Sequence, residues 1–253
     1  MNAERRRAMR DWITERLNVR VQELQERFPD VSVMTIRRDL AALEEEGAII
    51  RTRGGARVNT QTVGMAEDIY SRREQSNVEA KRIISEKAAA FVEEKRSIFL
   101  DAGTTVMTLA RRIPDQNLVL FTTAPNIAME VMMHTQKPQV TLLGGNLSRN
   151  TLSASGRATL EYLRSINIDV AFMATSAFSP ESGFTSGNPY EAELKMEVIR
   201  KSRRVIMLMT TEKADHNMPY TFAQLDDVDV LICEKRPEEA LMQLAAEKGV
   251  VVL

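Results

Sequence analysis

Cysteine and histidine are scarce in this chain of 253 residues, which contains one cysteine and two histidines. A single cysteine excludes a disulfide bond within the chain. His134 and His216 are too few to support a metal site, and we expect neither a metal nor a cofactor. Cys233 stands in the apolar run VLIC, which is typical of a buried, unreactive thiol.

Long apolar runs are also missing, since none approaches the roughly 20 residues that span a bilayer. The Arg-rich, Glu-containing N-terminal segment lacks the apolar core of a signal peptide, so a cytoplasmic protein without membrane contact is expected. A net charge of -1 and 43% hydrophobic residues describe an ordinary globular composition. The length favours two domains over one.

A helix with one apolar face is predicted between Ser32 and Gly47. Ser32 is a good N-cap, because its hydroxyl can accept a hydrogen bond from the first turn, and Gly47 is a good helix stop. Ile36, Leu40 and Leu43 are spaced by four and three residues, which places them on one face of that helix. We expect this face to be buried.

Four side chains lie off the apolar face near the start of this helix: Met34, Thr35, Arg37 and Arg38. Helix-turn-helix proteins insert this end of their recognition helix into the major groove of DNA. Two earlier helical patterns, near residues 4–16 and 21–28, supply the helices that would support it. Residues 32–46 are therefore predicted to be a DNA-recognition helix.

A basic hairpin is predicted directly after that helix. Two short extended pieces flank a Gly-Gly turn, and they carry Arg51, Arg53 and Arg57. Residues 1–58 thus form a winged helix-turn-helix, with these arginines in the wing. The segment holds twelve arginines, no lysine and ten acidic residues, a net charge of only +2. Placement of a few arginines, rather than bulk charge, must carry the DNA prediction.

A polar stretch at residues 59–77 is expected to be a linker. From Val78 to the end of the chain, short apolar runs alternate with helical patterns, which predicts βαβ units and a mainly parallel sheet. The predicted strands of this α/β domain are 97–100, 118–122, 140–143, 169–173, 204–209, 229–233 and 250–253. The predicted helices lie near 81–94, 104–112, 125–134, 158–166, 190–201 and 237–247.

A ligand pocket is expected at the carboxyl ends of these strands, where parallel sheets bind their ligands. After the first strand, a glycine, two hydroxyls and a helix N-terminus favour a phosphate or another anion. Two further polar or glycine-rich loops follow the second and third strands, and two lysines could neutralise the ligand. The predicted pocket residues are Asp101, Gly103, Thr104, Thr105, Thr122, Thr123, Gly144, Gly145, Lys195 and Lys213.

Over nearly its full length the chain resembles the DeoR family of transcriptional regulators. The resemblance is carried by MTIRRDL in the helix, RTRGGA in the wing, and LDAGTT, LLGG and GFTS-to-EAELK behind them. It implies a bacterial repressor of carbohydrate metabolism, usually a dimer or tetramer. It also implies a sensor domain similar in fold to ribose-5-phosphate isomerase and CoA transferases. Such sensors bind a phosphorylated sugar or a related metabolite, which weakens operator binding.

Carried over by position, the resemblance places DNA-reading residues at Thr35, Arg37 and Arg38, a cap at Ser32, and wing contacts at Arg51 and Arg53. The family's effector loop falls on Asp101, Gly103, Thr104 and Thr105. Two positions depart from the family pattern. Thr123 stands where Asn is common, and Thr210 stands where the family commonly begins an Asp-Ser-Ser-Lys run.

Two alternative functions are compatible with parts of the sequence. Asp-Ala-Gly-Thr-Thr at 101–105 also resembles the phosphate loop of sugar kinases, and a sugar-phosphate isomerase would share the expected fold. No second carboxylate stands at a spacing that would complete an acid/base pair with Asp101, which disfavours an enzyme. The other alternative is an adaptor that binds protein rather than DNA, and the basic wing disfavours it.

Overall fold

The computed structural model describes residues 2–16, 18–45, 49–52, 54–58 and 70–253. The chain divides into two compact units, residues 1–66 and residues 67–253. Each unit has its own hydrophobic core. Within the described ranges, every helix is too short or too polar to span a bilayer.

Over its described residues, the smaller unit combines three helices with a three-stranded antiparallel sheet of order β1-β3-β2. In chain order its elements are α1 (Asn2–Arg16), β1 (Asn18–Arg20), α2 (Val21–Arg27), α3 (Val33–Glu45), β2 (Ile49–Thr52) and β3 (Gly55–Val58). The predicted winged helix-turn-helix is confirmed. The short β1 was not predicted, and it pairs with β3 of the wing because Gly55 lets the backbones meet. A Cβ at Gly55 would lie 1.9 Å from the carbonyl oxygen of Val19.

The core of the smaller unit is formed by apolar side chains from all three helices and the sheet. Ile36, Leu40 and Leu43 of α3 are 0%, 2% and 1% exposed, which confirms the predicted buried face. Ser32 caps α3 as predicted, since the Thr35 amide donates to the Ser32 Oγ at 3.2 Å. The predicted stop at Gly47 lies outside the described residues.

The larger unit is an α/β domain that begins with a short helix. Its helices are α4 (Tyr70–Gln75), α5 (Val78–Ala89), α6 (Thr104–Ala110), α7 (Pro125–His134), α8 (Arg157–Arg164), α9 (Pro189–Lys201) and α10 (Glu239–Glu247). Its main strands are β4 (Ser97–Leu100), β5 (Val119–Thr122), β6 (Gln139–Leu142), β9 (Ile168–Ala174), β12 (Ser202–Leu208), β14 (Val230–Ile232) and β15 (Val251–Val252). Its shorter strands are β7 (Asn146–Leu147), β8 (Ala154–Ser155), β10 (Ala177–Ser179), β11 (Gly183–Ser186) and β13 (Tyr220–Ala223).

The seven main strands form one parallel sheet of order β15-β14-β12-β9-β4-β5-β6. Each coincides with a predicted strand to within two residues, so the predicted parallel α/β fold is confirmed. Side chains alternate across the sheet: Phe99 enters one core cluster, while Ile98 and Leu100 enter the other. The sheet is therefore covered by an apolar layer on both faces, as parallel sheets require.

The strand order reverses at the centre of the sheet. From β4 the chain moves outward through β5 to β6, and it then returns to β9 and moves the other way through β12, β14 and β15. The neighbours β4 and β9 thus flank the topological switch point, where open parallel sheets place their binding crevice.

Three departures from the sequence prediction concern short elements of the larger unit. The antiparallel sheet of order β10-β11-β13 and the pair β7-β8 were not predicted. Residues 59–77 were assigned to a linker, but Tyr70–Gln75 form α4, which packs against α6 of the larger unit. Residues 59–69 lie outside the described residues. The linker assignment therefore differs from the structure over its last eight residues, 70–77.

Candidate functional site

The N-terminal half of α3 presents polar and flexible side chains outward. Met34 is 77% exposed, Arg37 and Arg38 are exposed, and Thr35 is half-buried with its Oγ1 3.0 Å from the Ser32 Oγ. None of the four belongs to the buried face of α3. This surface has the position and chemistry that a recognition helix needs to reach base edges and phosphates.

The buried carboxylate of Asp39 holds α3 against α1. Asp39 is 4% exposed, and its Oδ2 accepts a hydrogen bond of 2.7 Å from Arg5 Nε on α1. This hydrogen bond raises the pKa of Arg5. The sequence held an indication of it, because Asp39 follows Ile36 by three residues and so falls on the apolar face. The pair is a positioning contact rather than part of the DNA surface.

In the wing, the first predicted arginine is paired with α3. Arg51 Nε donates to Glu44 Oε2 at 2.7 Å, and the Arg51 amide donates to Glu44 Oε1 at 2.9 Å. These bonds lower the pKa of Glu44. Arg53 lies outside the described residues, and Arg57 lies on β3 with a side chain outside the described part. The contact ties the wing to the C-terminal end of the recognition helix.

A cleft lies at the switch point of the larger unit, and we call it the switch-point cleft. It is lined by the two loops that follow β4 and β9, together with four charged side chains. The lining residues are Ala102, Gly103, Thr104 and Thr105 after β4, Ala174, Thr175 and Ser176 at the end of β9, and Arg73, Glu191, Lys195 and Lys213. Three cations face one carboxylate, which favours an anionic ligand.

Lys195 and Asp101 form a buried ion pair beneath this cleft. The Lys195 Nζ donates to Asp101 Oδ2 and to the Ala174 carbonyl at 2.8 Å, and it lies 3.5 Å from Glu191 Oε1. Asp101 is 1% exposed, and its oxygens also accept from the amides of Ala102 and Ala174, each at 2.9 Å. Asp101 thus fixes both strand-end loops and the lysine, instead of lining the cleft itself.

Lys213 reaches the same cleft from the other side of β9. It lies in the short 3-10 turn after β12, and its Nζ donates to the Thr175 carbonyl at 2.6 Å. Lys195 and Lys213 therefore both anchor on backbone carbonyls at the end of β9, namely Ala174 and Thr175. The two ammonium groups are held at one edge of the sheet by contacts that involve no ligand.

Four predicted pocket residues have structural contacts elsewhere. Thr122 and Thr123 are each 1% exposed, and the Thr123 carbonyl accepts from the Ala154 amide at 2.8 Å. The Gly144 carbonyl accepts from Thr159 Oγ1 at 2.7 Å. At Gly145, where φ is +155°, a Cβ would lie 2.2 Å from Thr159 Oγ1. The structure does not bring these residues into the lining of the switch-point cleft.

Sequence reasoning missed four polar or charged lining residues: Arg73, Thr175, Ser176 and Glu191. Thr175 and Ser176 follow the fourth main strand, so the strand-end rule that found Thr104 and Thr105 also applies to them. Glu191 precedes Lys195 by four residues on α9, a spacing that puts both on one helix face. Arg73 had no comparable pattern, because α4 was assigned to the linker.

A larger cleft of about 460 Å³ lies next to the carboxyl ends of β12 and β14. Its lining includes Thr210, one of the two positions that depart from the family pattern. Its charged side chains are mainly acidic: Glu212, Asp215, Glu234 and Glu238 against Lys235 and Arg236. Size alone would favour this cleft, but its charge disfavours an anionic ligand, and it lies away from the switch point.

Fold and sites together define a ligand-responsive transcriptional regulator, with a winged helix-turn-helix for DNA and an α/β domain for a small molecule. Comparison with known families places the chain more closely. The DeoR-like helix-turn-helix domain matches residues 5–62, and the DeoR C terminal sensor domain matches residues 76–235. The chain belongs to the DeoR family of HTH-type transcriptional regulators.

Two curated relatives illustrate the match. The HTH-type transcriptional regulator GlpR of Haloferax volcanii is 32% identical over 252 residues, covering 99% of this chain and 97% of that protein. The HTH-type transcriptional repressor GlcR of Bacillus subtilis is 33% identical over 223 residues, covering 88% and 85%. Among solved structures, ribose 5-phosphate isomerase A from Methanocaldococcus jannaschii matches with a TM-score of 0.41 and 14% identity, covering 55% of each chain.

Family membership decides between the functions considered from the sequence. The chain is a DNA-binding transcriptional regulator with a sensor domain, so the kinase, isomerase and protein-adaptor alternatives are wrong. Asp101 agrees with this outcome, because its carboxylate is committed to two backbone amides and Lys195. A general base needs a carboxylate within reach of a substrate proton, and this one is buried.

Proposed function

We propose that this protein is a repressor of a carbohydrate-metabolism operon, and that a phosphorylated sugar bound in the switch-point cleft releases it from operator DNA. The observation that carries the proposal is the grouping of Lys195, Lys213 and Arg73 with strand-end hydroxyls at the switch point. Cations and hydroxyl donors suit a phosphate, and Glu191 can accept from sugar hydroxyls. The relative GlcR is named a transcriptional repressor, which supports repression rather than activation.

The proposed effector site has two groups of residues. The ligand contacts the first group, which comprises Gly103, Thr104, Thr105, Lys195 and Lys213. The second group completes the rim of the cleft and comprises Thr175 and Ser176. Asp101 is assigned a positioning role, because it orients Lys195 and the loop after β4. Thr122, Thr123, Gly144 and Gly145 belong to the supporting structure.

On the DNA side, Met34, Thr35, Arg37 and Arg38 are proposed to contact bases and phosphates of the major groove, with Ser32 as the cap of α3. Arg53 and Arg57 are proposed as wing contacts to phosphates, while Arg51 positions the wing against Glu44.

We further propose a dimer or tetramer, because a repressor that reads two half-sites needs them about 34–36 Å apart or a multiple of that. Ligand in the sensor then shifts the population away from the spacing that fits the operator. Such a repressor acts on the chromosome, so the proposal includes a cytoplasmic location.

A paired assay on the full-length protein tests this function. An operator fragment is selected from random duplex DNA, and phosphorylated sugars are screened against their unphosphorylated forms by thermal shift and by release of that fragment. We expect a phosphorylated sugar to raise the melting temperature and to release the DNA, because a ligand of the native state stabilises it by mass action. The proposal is wrong if no phosphorylated sugar does either.

Two variants locate the site within this assay. Thr104→Ala and Lys213→Ala are expected to bind the operator as the wild type does but to lose release by the sugar. Normal release in both variants would move the effector site away from the switch-point cleft.

A further inference from the structure

Helix α4 occupies a special place in the chain. It comprises Tyr70–Gln75 and lies between the two family matches, which end at residue 62 and begin again at residue 76. It is also the first described element after the DNA-binding unit. Within the described part of the sensor unit, α4 is therefore the element nearest in sequence to the winged helix-turn-helix.

Arg73 of α4 lines the switch-point cleft beside Gly103, Thr104, Lys195 and Lys213. Its Nη2 donates to the Asn150 carbonyl at 3.1 Å, and its guanidinium carbon lies 6.0 Å from the centroid of the Tyr70 ring. A guanidinium offers several donors in one plane, which match two oxygens of a phosphate better than an ammonium does. The cleft thus receives one of its three cations from outside both matched domains.

The carboxyl end of α4 is tightly anchored. The buried Lys81 of α5 donates through Nζ to the Arg73 carbonyl and, at 2.7 Å, to the Ser76 carbonyl. Desolvation lowers the pKa of Lys81 to about 8. Glu74 of α4 also forms an ion pair of 3.2 Å with the half-exposed Arg111.

The amino end of α4 carries a buried hydroxyl that has no hydrogen-bond partner among the described residues. Tyr70 is 7% exposed, and burial raises its pKa to about 12. Its hydroxyl lies towards Asn126, yet within the described residues neither that hydroxyl nor the Asn126 amide makes a hydrogen bond of normal geometry. Buried polar groups without partners cost free energy. A small movement of α4 could therefore bring the Tyr70 hydroxyl and the Asn126 amide into a hydrogen bond.

We propose that Arg73 binds the anionic group of the effector and that α4 thereby carries occupancy of the switch-point cleft to the DNA-binding unit. This inference rests on the proposed function, since it needs an anionic effector in that cleft. The ligand closes α4 onto the cleft through Arg73, and this movement of α4 is the signal that the sensor unit sends to the DNA-binding unit. Reciprocity then requires operator DNA to weaken effector binding by the same factor.

Inorganic phosphate and the sugar phosphate that gives the largest thermal shift serve as probes on the full-length protein. The variants are Arg73→Gln and Arg73→Lys, with Arg72→Gln as a matched control that removes the neighbouring charge on α4 outside the cleft lining. We expect Arg73→Gln to weaken binding of both probes roughly tenfold or more, as loss of a charge-assisted contact does. Arg73→Lys should recover part of the affinity, and Arg72→Gln should stay within about twofold of the wild type.

Hydrogen exchange separates binding from coupling. In the wild type, the sugar phosphate should slow exchange of the amides of residues 70–77, and this protection should be lost in Arg73→Gln. The inference is overturned if Arg73→Gln binds the sugar phosphate as tightly as the wild type and is released by it from DNA to the same extent. It is also overturned if the amides of α4 show no change in exchange when the sugar phosphate binds. Failure of the wild type itself to bind any sugar phosphate would instead refute the proposed function.

Discussion

The two units present their ligands with opposite kinds of surface. The DNA-binding unit offers exposed side chains, with Met34 at 77% exposed and Arg37 and Arg38 beside it, on a small core. The sensor unit offers a cleft whose main cation, Lys195, is 2% exposed and paired with a buried carboxylate. Long exposed side chains can adapt to DNA, whereas Lys195 is held in place by Asp101 and the Ala174 carbonyl.

In the DNA-binding unit, the side chains proposed to bind the ligand lie apart from the core that stabilises the fold. In the sensor unit, the same buried side chains are proposed to serve both binding and stability. Removing an exposed arginine from α3 changes what the surface can bind and leaves its core intact. Removing Lys195 takes a partner from the buried Asp101, so the fold itself is affected. Substitutions in the two units should therefore divide into losses of DNA binding and losses of stability.

The largest effect is expected for Lys195→Met. The change leaves the Asp101 carboxylate buried without its cation, which costs about 3–5 kcal/mol of unfolding free energy in comparable buried pairs. Urea unfolding followed by far-ultraviolet circular dichroism measures it. Trp12 is the only tryptophan, so its fluorescence reports on the smaller unit, where we expect no change.

Lys137→Met is the control, because it removes an exposed lysine from the same unit. The double variant Asp101→Asn/Lys195→Met should regain part of the lost stability, since neither charge remains. A loss below about 1 kcal/mol in Lys195→Met would mean that the pair is not as buried as the structure places it.

Arg37→Ala is expected to weaken operator binding by roughly 1–3 kcal/mol if the guanidinium makes a bidentate base contact. The melting temperature should not change, since Arg37 is exposed. Fluorescence anisotropy with the selected operator measures the affinity, and Arg27→Ala supplies a control arginine on α2. Equal affinities of the Arg37→Ala and wild-type proteins would remove Arg37 from the recognition surface.

The sequence predicted the elements that carry a long regular pattern. The seven main strands and the buried face of α3 follow from apolar periodicity, which reports directly on which side of an element meets the core. The strand-end rule led to Gly103, Thr104 and Thr105, and all three line the switch-point cleft. Their function in effector binding remains a prediction.

What the sequence could not predict depends on tertiary contacts. Lys195 bonds to Asp101 at a separation of 94 residues, and no local pattern marks such a pair. Helix α4 has only six residues, too few to be stable alone, and it is held by Lys81 and by packing on α6. Gly145 suggested a ligand loop, but its lack of a side chain serves close packing against Thr159.

A smaller effect is expected for Ser32→Ala, which tests the base of the recognition surface. The change removes the acceptor of the Thr35 amide and should lower the stability of the smaller unit by roughly 1 kcal/mol. Trp12 fluorescence during urea unfolding measures it. Ser32→Asp retains a capping oxygen and should keep most of the stability. If Ser32→Ala were as stable as the wild type, the cap would contribute nothing to α3.

The smallest effect concerns the exposed pair Glu44–Arg51. Glu44→Gln keeps the acceptor for the Arg51 amide but removes the charge that pairs with the guanidinium at 2.7 Å. Arg51 can then bind a phosphate, so operator affinity at low salt should rise a few-fold. The slope of log affinity against log salt should steepen by about one. Glu26→Gln removes an equal charge from exposed α2 without touching Arg51 and serves as the control. The same slope in Glu44→Gln and Glu26→Gln would show that Arg51 only positions the wing, and the exposed surface of the smaller unit would then rest on α3 and on the remaining wing arginines.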